Sequence, residues 1–272
     1  MRVAIIGGGT IARLALEHLG QGRLADARAV CIMGRGDSAR ANSLADEHGV
    51  VYADTLVELL AQSPDVVLEA ASHQAIRDYG ESVLNAGVTL IVLSAGALCD
   101  DALRSKLERA ARAHGALLYV PSGGIGGLDA LKAACIAGVD HVSITVSKPP
   151  AAWRNIPYVE SLDVSLDTLT EPCTLYDGPA RGGVPLFPAN VNIAAVLAMA
   201  GIGFDATRLT VVADPRIVHN THRIEVRGKS GNIRVELENV PAPENPKTAW
   251  LACYSALAAL QLAGRGGVRY GT

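Results

Sequence analysis

The first twelve residues constrain this chain more than any other stretch. Met1-Arg2-Val3-Ala4-Ile5-Ile6 reads as an apolar strand and runs straight into Gly7-Gly8-Gly9-Thr10-Ile11-Ala12, after which a helical pattern, Arg13 to Leu19, begins at once. Strand, G-x-G-x-x-A turn and helix in immediate succession are the context in which a glycine pattern signals a dinucleotide site. Gly7 permits the tight turn, Gly9 lets backbone approach a pyrophosphate, and Ala12 is small enough for close helix–strand packing. Thr10 and Ile11 stand in this turn as candidate cofactor contacts, and the first amides of the helix that follows face an anion. The competing reading is a glycine-rich turn with no ligand.

At 272 residues the chain is long enough for two domains and a large core. Half of it is hydrophobic (49%) and only 4% is aromatic, so Ala, Val, Leu and Ile build the interior, as in helix-covered parallel sheets. A net charge of -3 offers no basic footprint for nucleic acid. No charge run suggests a membrane surface, and the longest apolar run, Ile193 to Phe204, falls short of the roughly 18 residues of a span. Cys31, Cys99, Cys135, Cys173 and Cys253 are odd in number and scattered, with no C-x-x-C and no His at metal spacing. Most of them read as small buried hydrophobes in a reducing compartment, with no metal site. An N-terminus that is itself a core strand is no cleaved signal, so the expected location is cytoplasmic.

Short apolar segments rich in β-branched residues predict strands over Val3–Ile6, Ala29–Met33, Val50–Tyr52, Val66–Glu69, Thr89–Leu93 and Ala116–Val120. Between them, Arg40–His48, Thr55–Ala61, Ile76–Ala86 and Asp100–His114 read as helices, with Asp54-Thr55 and Gly115 as start and stop signals. This alternation predicts a doubly wound parallel sheet of Rossmann type over residues 1–120. Past Pro121 comes a second glycine-rich turn, Ser122 to Gly127, and a helix from Leu128 to about Ala137. Strands are then expected at His141–Ser147, Leu162–Val164, Leu209–Ala213, His222–Val226 and Asn232–Glu238, with a helix at Asn192–Ala200. Residues 121–246 thus form a second, α+β domain with an open mixed sheet. A last helix, Thr248 to Leu262, is apolar over most of its surface, so it should be buried, packed back on the first domain.

Several residues are placed to act. An NAD-specific site would carry a carboxylate at the end of the second strand. Met33-Gly34-Arg35-Gly36-Asp37 has none at the expected position, and Arg35 either meets a 2′-phosphate or is a solvated loop residue. Ala71, Ser72 and His73 follow the fourth strand and Ser94 follows the fifth, at the carboxyl edge where ligands bind. His73 is a candidate base or substrate contact, or else a positioning or surface residue. Strand alternation puts His222 on the face of Ile224 and Val226, opposite Arg223, Glu225 and Arg227. A partly desolvated histidine there would suit proton transfer, or would be a structural histidine under a loop. Of Asn190 and Asn192, one is expected to cap the helix and the other to present an amide to a ligand.

Segments spread over nearly the whole chain carry a resemblance: Gly7 to Ala12, Ser94 to Leu98, Pro121 to Gly126, Lys148 to Trp153, Phe187 to Ala195, Asn220 to Glu225 and Glu244 to Thr248. Together they are similar to the L-aspartate dehydrogenase family. The resemblance implies a Rossmann domain with a catalytic and dimerisation domain, a homodimer, NAD or NADP as cofactor, and oxidative deamination of L-aspartate to oxaloacetate and ammonia through iminosuccinate, in either direction. That reaction can feed NAD biosynthesis. The resemblance places the catalytic histidine on His222 and cofactor contacts on Gly124 and Asn192, although many relatives carry Ala at the position of Gly124. Hydride leaves the substrate Cα and water then attacks the imine, a step for which a histidine of near-neutral pKa is a suitable base. A dicarboxylic substrate calls for cationic groups, and Lys148, Arg154 and Lys247 are candidates. Two other readings stay open: a dehydrogenase of this architecture acting on another small amino or imino acid, and a catalytically silent NAD(P)-binding regulator.

Overall fold

The computed structural model describes residues 1–24, 26–36, 38–242 and 245–264, apart from the side chains of 245–248 and 264. The chain forms two compact units, one of residues 1–123 joined by the helix residues from Cys253 on, the other of residues 124–252.

In the first unit, strands β1 (Arg2–Ile6), β2 (Arg28–Met33), β3 (Val51–Ala53), β4 (Val66–Glu69), β5 (Thr89–Val92) and β6 (Leu118–Tyr119) alternate with helices. The helices are α1 (Thr10–Gly20), α2 (Ala39–His48), α3 (Leu56–Ala61), α4 (His73–Asn85) and α5 (Asp101–His114). The strands pair in parallel in the order β3-β2-β1-β4-β5-β6, the doubly wound order whose switch point lies between β1 and β4. Burial of β1, β4 and β5 on both faces explains why they read as continuous apolar runs. Side-chain caps start most of the helices: Ser38 accepts from the Ala41 amide, Thr55 from Glu58, Ser72 from Ala75, and Asp100 from Ala102 and Leu103.

The second unit opens with α6 (Leu128–Ala137) and β7 (Val139–Lys148), followed by a short helix α7 (Pro157–Glu160). Then come β8 (Cys173–Pro179), α8 (Ala180–Gly183), α9 (Asn192–Ala200), β9 (Thr207–Ala213), β10 (Asn220–Gly228) and β11 (Gly231–Asn239). The sheet order is β11-β10-β7-β9-β8; β7 and β9 run parallel and the other pairs antiparallel, so the sheet is mixed and open. Val142, Ile144, Val146, Leu209, Val211, Ile224 and Val226 form its buried face, onto which α6 and α9 pack. A hairpin of β12 (Pro241–Ala242) and β13 (Asn245–Ala249) leads into α10 (Trp250–Gly264).

One expected strand is absent. Leu162–Val164 is not a strand: the Val164 amide bonds back to the Leu162 carbonyl at 2.8 Å, closing a tight turn. The missing strand is β8, at the sheet edge, where Gly178 and Pro179 are tolerated because one side of the strand has no ladder to complete. The last helix packs on the first unit as expected, but only one side of it is buried. Cys253, Ala256, Leu257 and Leu260 form a buried stripe in the core of the first unit, whereas Leu251, Tyr254 and Leu262 are exposed.

Candidate active site

Each unit carries one part of the candidate machinery. In the first, a cavity of about 390 Å³ lies at the carboxyl edge of the sheet, walled by Gly7 to Gly9, by Gly34, Arg35, Ser38 and Arg40, and by Ala70 to Ser72. Gly7 has φ +121°, and a Cβ there would lie 2.6 Å from the Ala70 carbonyl oxygen. Only glycine fits. At Gly9 nothing lies within 4 Å of the Cβ position, and no side chain caps α1. Backbone that is tight on one side and open on the other, at an uncapped helix start, fits the pyrophosphate of a dinucleotide. Thr10 and Ile11 begin α1 and are not in the cavity wall.

Arg35 lines this cavity and its Nη2 donates to Ser72 Oγ at 3.4 Å. Arg40, in the first turn of α2, is a second cation in the same wall. It sits just past the Ser38 cap, and the expected start of that helix already marked its position. Ala71 also lines the cavity. Ser94 is committed elsewhere: its amide donates to Glu69 Oε2 at 3.0 Å and its hydroxyl to Glu69 Oε1 at 2.8 Å. Glu69 is 1% exposed and also accepts from the amides of Ala71 (2.8 Å) and Ser72 (2.9 Å). Burial pushes its carboxyl up, and the four donors pull against that shift. Glu69 thereby ties the β4–α4 turn to the end of β5. His73 is the first residue of α4, half-buried and outside the cavity wall.

In the second unit, β10 begins with buried Asn220, Thr221 and His222 and then alternates, with Ile224 and Val226 buried against exposed Arg223, Glu225 and Arg227. His222 is 2% exposed. Its Nδ1 lies 2.9 Å from the Gly124 carbonyl, so Nδ1 carries the proton and donates it there. Asn239 Nδ2 donates to the same carbonyl at 3.0 Å and lies 3.1 Å from the ring nitrogen. Nε2 is left as the lone pair, buried and with no hydrogen-bond partner among the described residues. Burial pushes the imidazole pKa down to about 4; the bond to Gly124 opposes the shift and the Lys148 charge adds to it. The carbonyl of Gly124 is therefore engaged with His222. A Cβ on Gly124 would stand 3.2 Å from the Ala249 Cβ, a tight contact, and 3.4 Å from His222 Cε1, an ordinary van der Waals contact.

Lys148 ends β7 at 3% exposure, with Nζ 3.4 Å from Asn190 Oδ1 and 5.2 Å from the centre of the Trp153 ring. Neither asparagine is the expected side-chain cap. Val191 holds the cap position of α9, Asn192 is the first helical residue, and Asn190 spends its Nδ2 on the Pro188 carbonyl at 3.3 Å. Arg154 is exposed and pairs with Asp167. The side chain of Lys247 lies outside the described residues. Among those residues no group of acidic, His and Cys side chains is arranged to hold a metal, and no helix is long and apolar enough to cross a membrane. Arg40, Glu69, Asn220 and Asn239 are the site residues that sequence reasoning missed.

Residues 7–121 match the family model described as the NAD binding domain of homoserine dehydrogenase, and residues 129–263 match the one described as the C-terminal domain of aspartate dehydrogenase. The crystal structure of aspartate dehydrogenase from Thermotoga maritima superposes with a TM-score of 0.78 at 27% identity, covering 100% of this chain and 99% of that one. An L-aspartate dehydrogenase of Methanocella arvoryzae is 38% identical over 96% of both chains. L-aspartate dehydrogenase 2 of Bordetella bronchiseptica reaches 45% identity over 96% of both. Similarity of this depth runs through the glycine-turn unit and the His222 unit alike, and the chain belongs to the L-aspartate dehydrogenase family.

Proposed function

We propose that this protein catalyses NAD(P)-dependent oxidative deamination of L-aspartate to oxaloacetate and ammonia, or the reverse reductive amination. The observation that carries this reading is His222, held neutral by burial, with Nδ1 fixed on Gly124 and the Nε2 lone pair unspent. When bound, the nicotinamide coenzyme accepts the hydride of the substrate Cα, which converts the amine to iminosuccinate. His222 Nε2 then takes a proton from the water that adds to the imine carbon. That proton is available to the nitrogen as it leaves, so His222 ends the cycle neutral. Lys148 supplies a buried positive charge on the same sheet for a substrate carboxylate. Gly7 and Gly9 receive the pyrophosphate, and Arg35 with Arg40 faces the adenosine ribose. Two cations and no carboxylate at the described end of β2 favour NADPH at least as much as NADH.

The test is NADH and NADPH oxidation with ammonia and a panel of 2-oxo acids. Oxaloacetate is expected to outrun pyruvate, and aspartate to outrun alanine in the oxidative direction. Equal or better turnover of the monocarboxylic pair would transfer the assignment to another amino acid. Tight coenzyme binding with no turnover would instead favour a regulator. On the same reading the protein is a cytoplasmic homodimer, which sedimentation at catalytic concentrations checks.

A further inference from the structure

We infer that Asn220 is a substrate-binding residue whose side-chain amide, together with Lys148, receives a carboxylate of the substrate beside His222. The inference rests on the reading that the substrate is a dicarboxylic amino or 2-oxo acid.

Asn220 is 1% exposed, yet neither Nδ2 nor Oδ1 has a hydrogen-bond partner among the described residues. A buried amide with both ends unmatched destabilises the fold and is rare in folded proteins. It is expected where a ligand completes the bonding.

Its position identifies the ligand. Asn220 is the first residue of β10 and lies two residues from His222 on the same buried face. The antiparallel register pairs Thr221 with Ser147, so Lys148 follows one position along, next to Asn220. On the other side Asn220 pairs with Asn239, the residue that shares the Gly124 carbonyl with His222. Toward the middle of the sheet this face is purely apolar, with Ile144, Val146, Ile224 and Val226. At this one end it changes to an ammonium, an amide and an imidazole, two of which keep polar atoms without partners.

The chemistry of the three groups is complementary. Lys148 supplies charge without direction, and Asn220 Nδ2 supplies a directed neutral donor; one carboxylate, with two acceptor oxygens, satisfies both. Asn220 Oδ1 remains as an acceptor and suits an N–H of the substrate amine or imine. A substrate with methyl in place of the second carboxylate leaves the amide unmatched, and a site built to hydrogen-bond rejects such analogues strongly. Asn220 thus reads the difference between oxaloacetate and pyruvate.

The test uses Asn220→Leu and Asn220→Asp in the full-length protein. Three quantities are measured: kcat/KM for oxaloacetate and for pyruvate with ammonia, the Kd of succinate by calorimetry with NADP+ present, and the thermal midpoint. Asn220→Leu is expected to lower the oxaloacetate-to-pyruvate ratio about tenfold or more, chiefly through the KM of oxaloacetate, and to weaken succinate by a similar factor. Asn220→Asp should do so more severely, because a carboxylate would face a carboxylate. The midpoint of Asn220→Leu should equal or exceed that of the parent, since an unmatched buried amide has been removed. An unchanged ratio with unchanged succinate affinity would overturn the inference. So would a lowered midpoint with unchanged affinity, the result expected of a structural asparagine. If the parent turned over no dicarboxylate, the reading of the substrate would fail by itself. Succinate would still decide Asn220: binding lost on Asn220→Leu supports the inference, while equal affinity, or no binding to the parent, overturns it.

Discussion

At the scale of single residues, burial takes the His222 imidazole below the near-neutral pKa expected from the sequence. Desolvation lowers its pKa to about 4, so the ring is neutral across the physiological range and its lone pair is available without prior deprotonation. The acid limb of kcat/KM is therefore expected well below the ordinary 6.5 of a histidine. His222→Ala should lower kcat by roughly 10²–10⁴, the loss typical of a general acid–base, and leave NADP(H) affinity intact because the glycine turn belongs to the other unit. His222→Asn keeps some hydrogen bonding but cannot titrate in this range; near-parental turnover in both variants would remove the histidine from the mechanism. The same shift has a signature in stability. Between pH 6.5 and about 4 the unfolded chain binds a proton that the folded protein refuses, so the stability held above pH 6.5 drains away as pH falls. The shift corresponds to roughly 3 kcal/mol in total, of which about 2 kcal/mol is gone by pH 5. Urea unfolding at pH 7 and pH 5 should show that loss in the parent and a smaller one in His222→Ala.

At the scale of elements, two turns at the carboxyl edge wall the candidate cofactor cavity. The β2–α2 turn carries Arg35 and Arg40 into one cavity wall. Arg35→Ala is expected to reduce kcat/KM for NADPH relative to NADH, and the double variant with Arg40→Ala to reduce it further; an unchanged ratio would make both arginines bystanders. The β4–α4 turn hangs on Glu69, whose oxygens accept four hydrogen bonds. Glu69→Gln turns an acceptor oxygen into an NH2 facing donors, which should cost about 1–3 kcal/mol in denaturant unfolding. How much of this was legible varied with the range of the interactions. The parallel strands of the first unit were readable because burial on both faces leaves unbroken apolar runs, and the side of β10 that bears His222 followed from simple alternation. β8 escaped because an edge strand with only Leu175 fully buried carries no such pattern. Glu69 escaped because it reads as the last residue of an apolar strand, and its partners at Ser94 lie 25 residues away. The setting of His222 depends on Gly124 and Asn239, 98 and 17 residues distant, and only folding brings them together.

At the scale of the whole molecule, the first unit is incomplete until the end of the chain arrives. Its core of Val3, Ile5, Leu16, Ile32, Leu68 and Ile91 is closed by Cys253, Ala256, Leu257, Ala259 and Leu260 of α10. Cys253, Ala256, Leu257 and Leu260 fall at helical i, i+3, i+4, i+7 spacing, and Ala259 widens that stripe on one side. A chain that stops at Ala252 would keep every glycine of the dinucleotide turn and lose part of the core beneath it. It should therefore bind NADP+ poorly, although no residue of the cavity wall is missing. Because such a truncation removes many contacts at once, Leu260→Ala is the sharper probe. Leu260 is fully buried, and its truncation should cost about 2–5 kcal/mol. The check is thermal unfolding with and without NADP+. Saturating NADP+ should raise the midpoint of the variant as it does that of the parent, since ligand binding to the folded state alone stabilises in proportion to ln(1 + [L]/Kd). A lowered midpoint without ligand would show that the stripe supports the fold that carries the glycine turn, and a smaller rise with NADP+ than the parent's would show that it supports coenzyme binding as well. A midpoint equal to that of the parent would mean that the last helix does not support the dinucleotide site, and that the glycine-turn unit is stable without its C-terminal stripe.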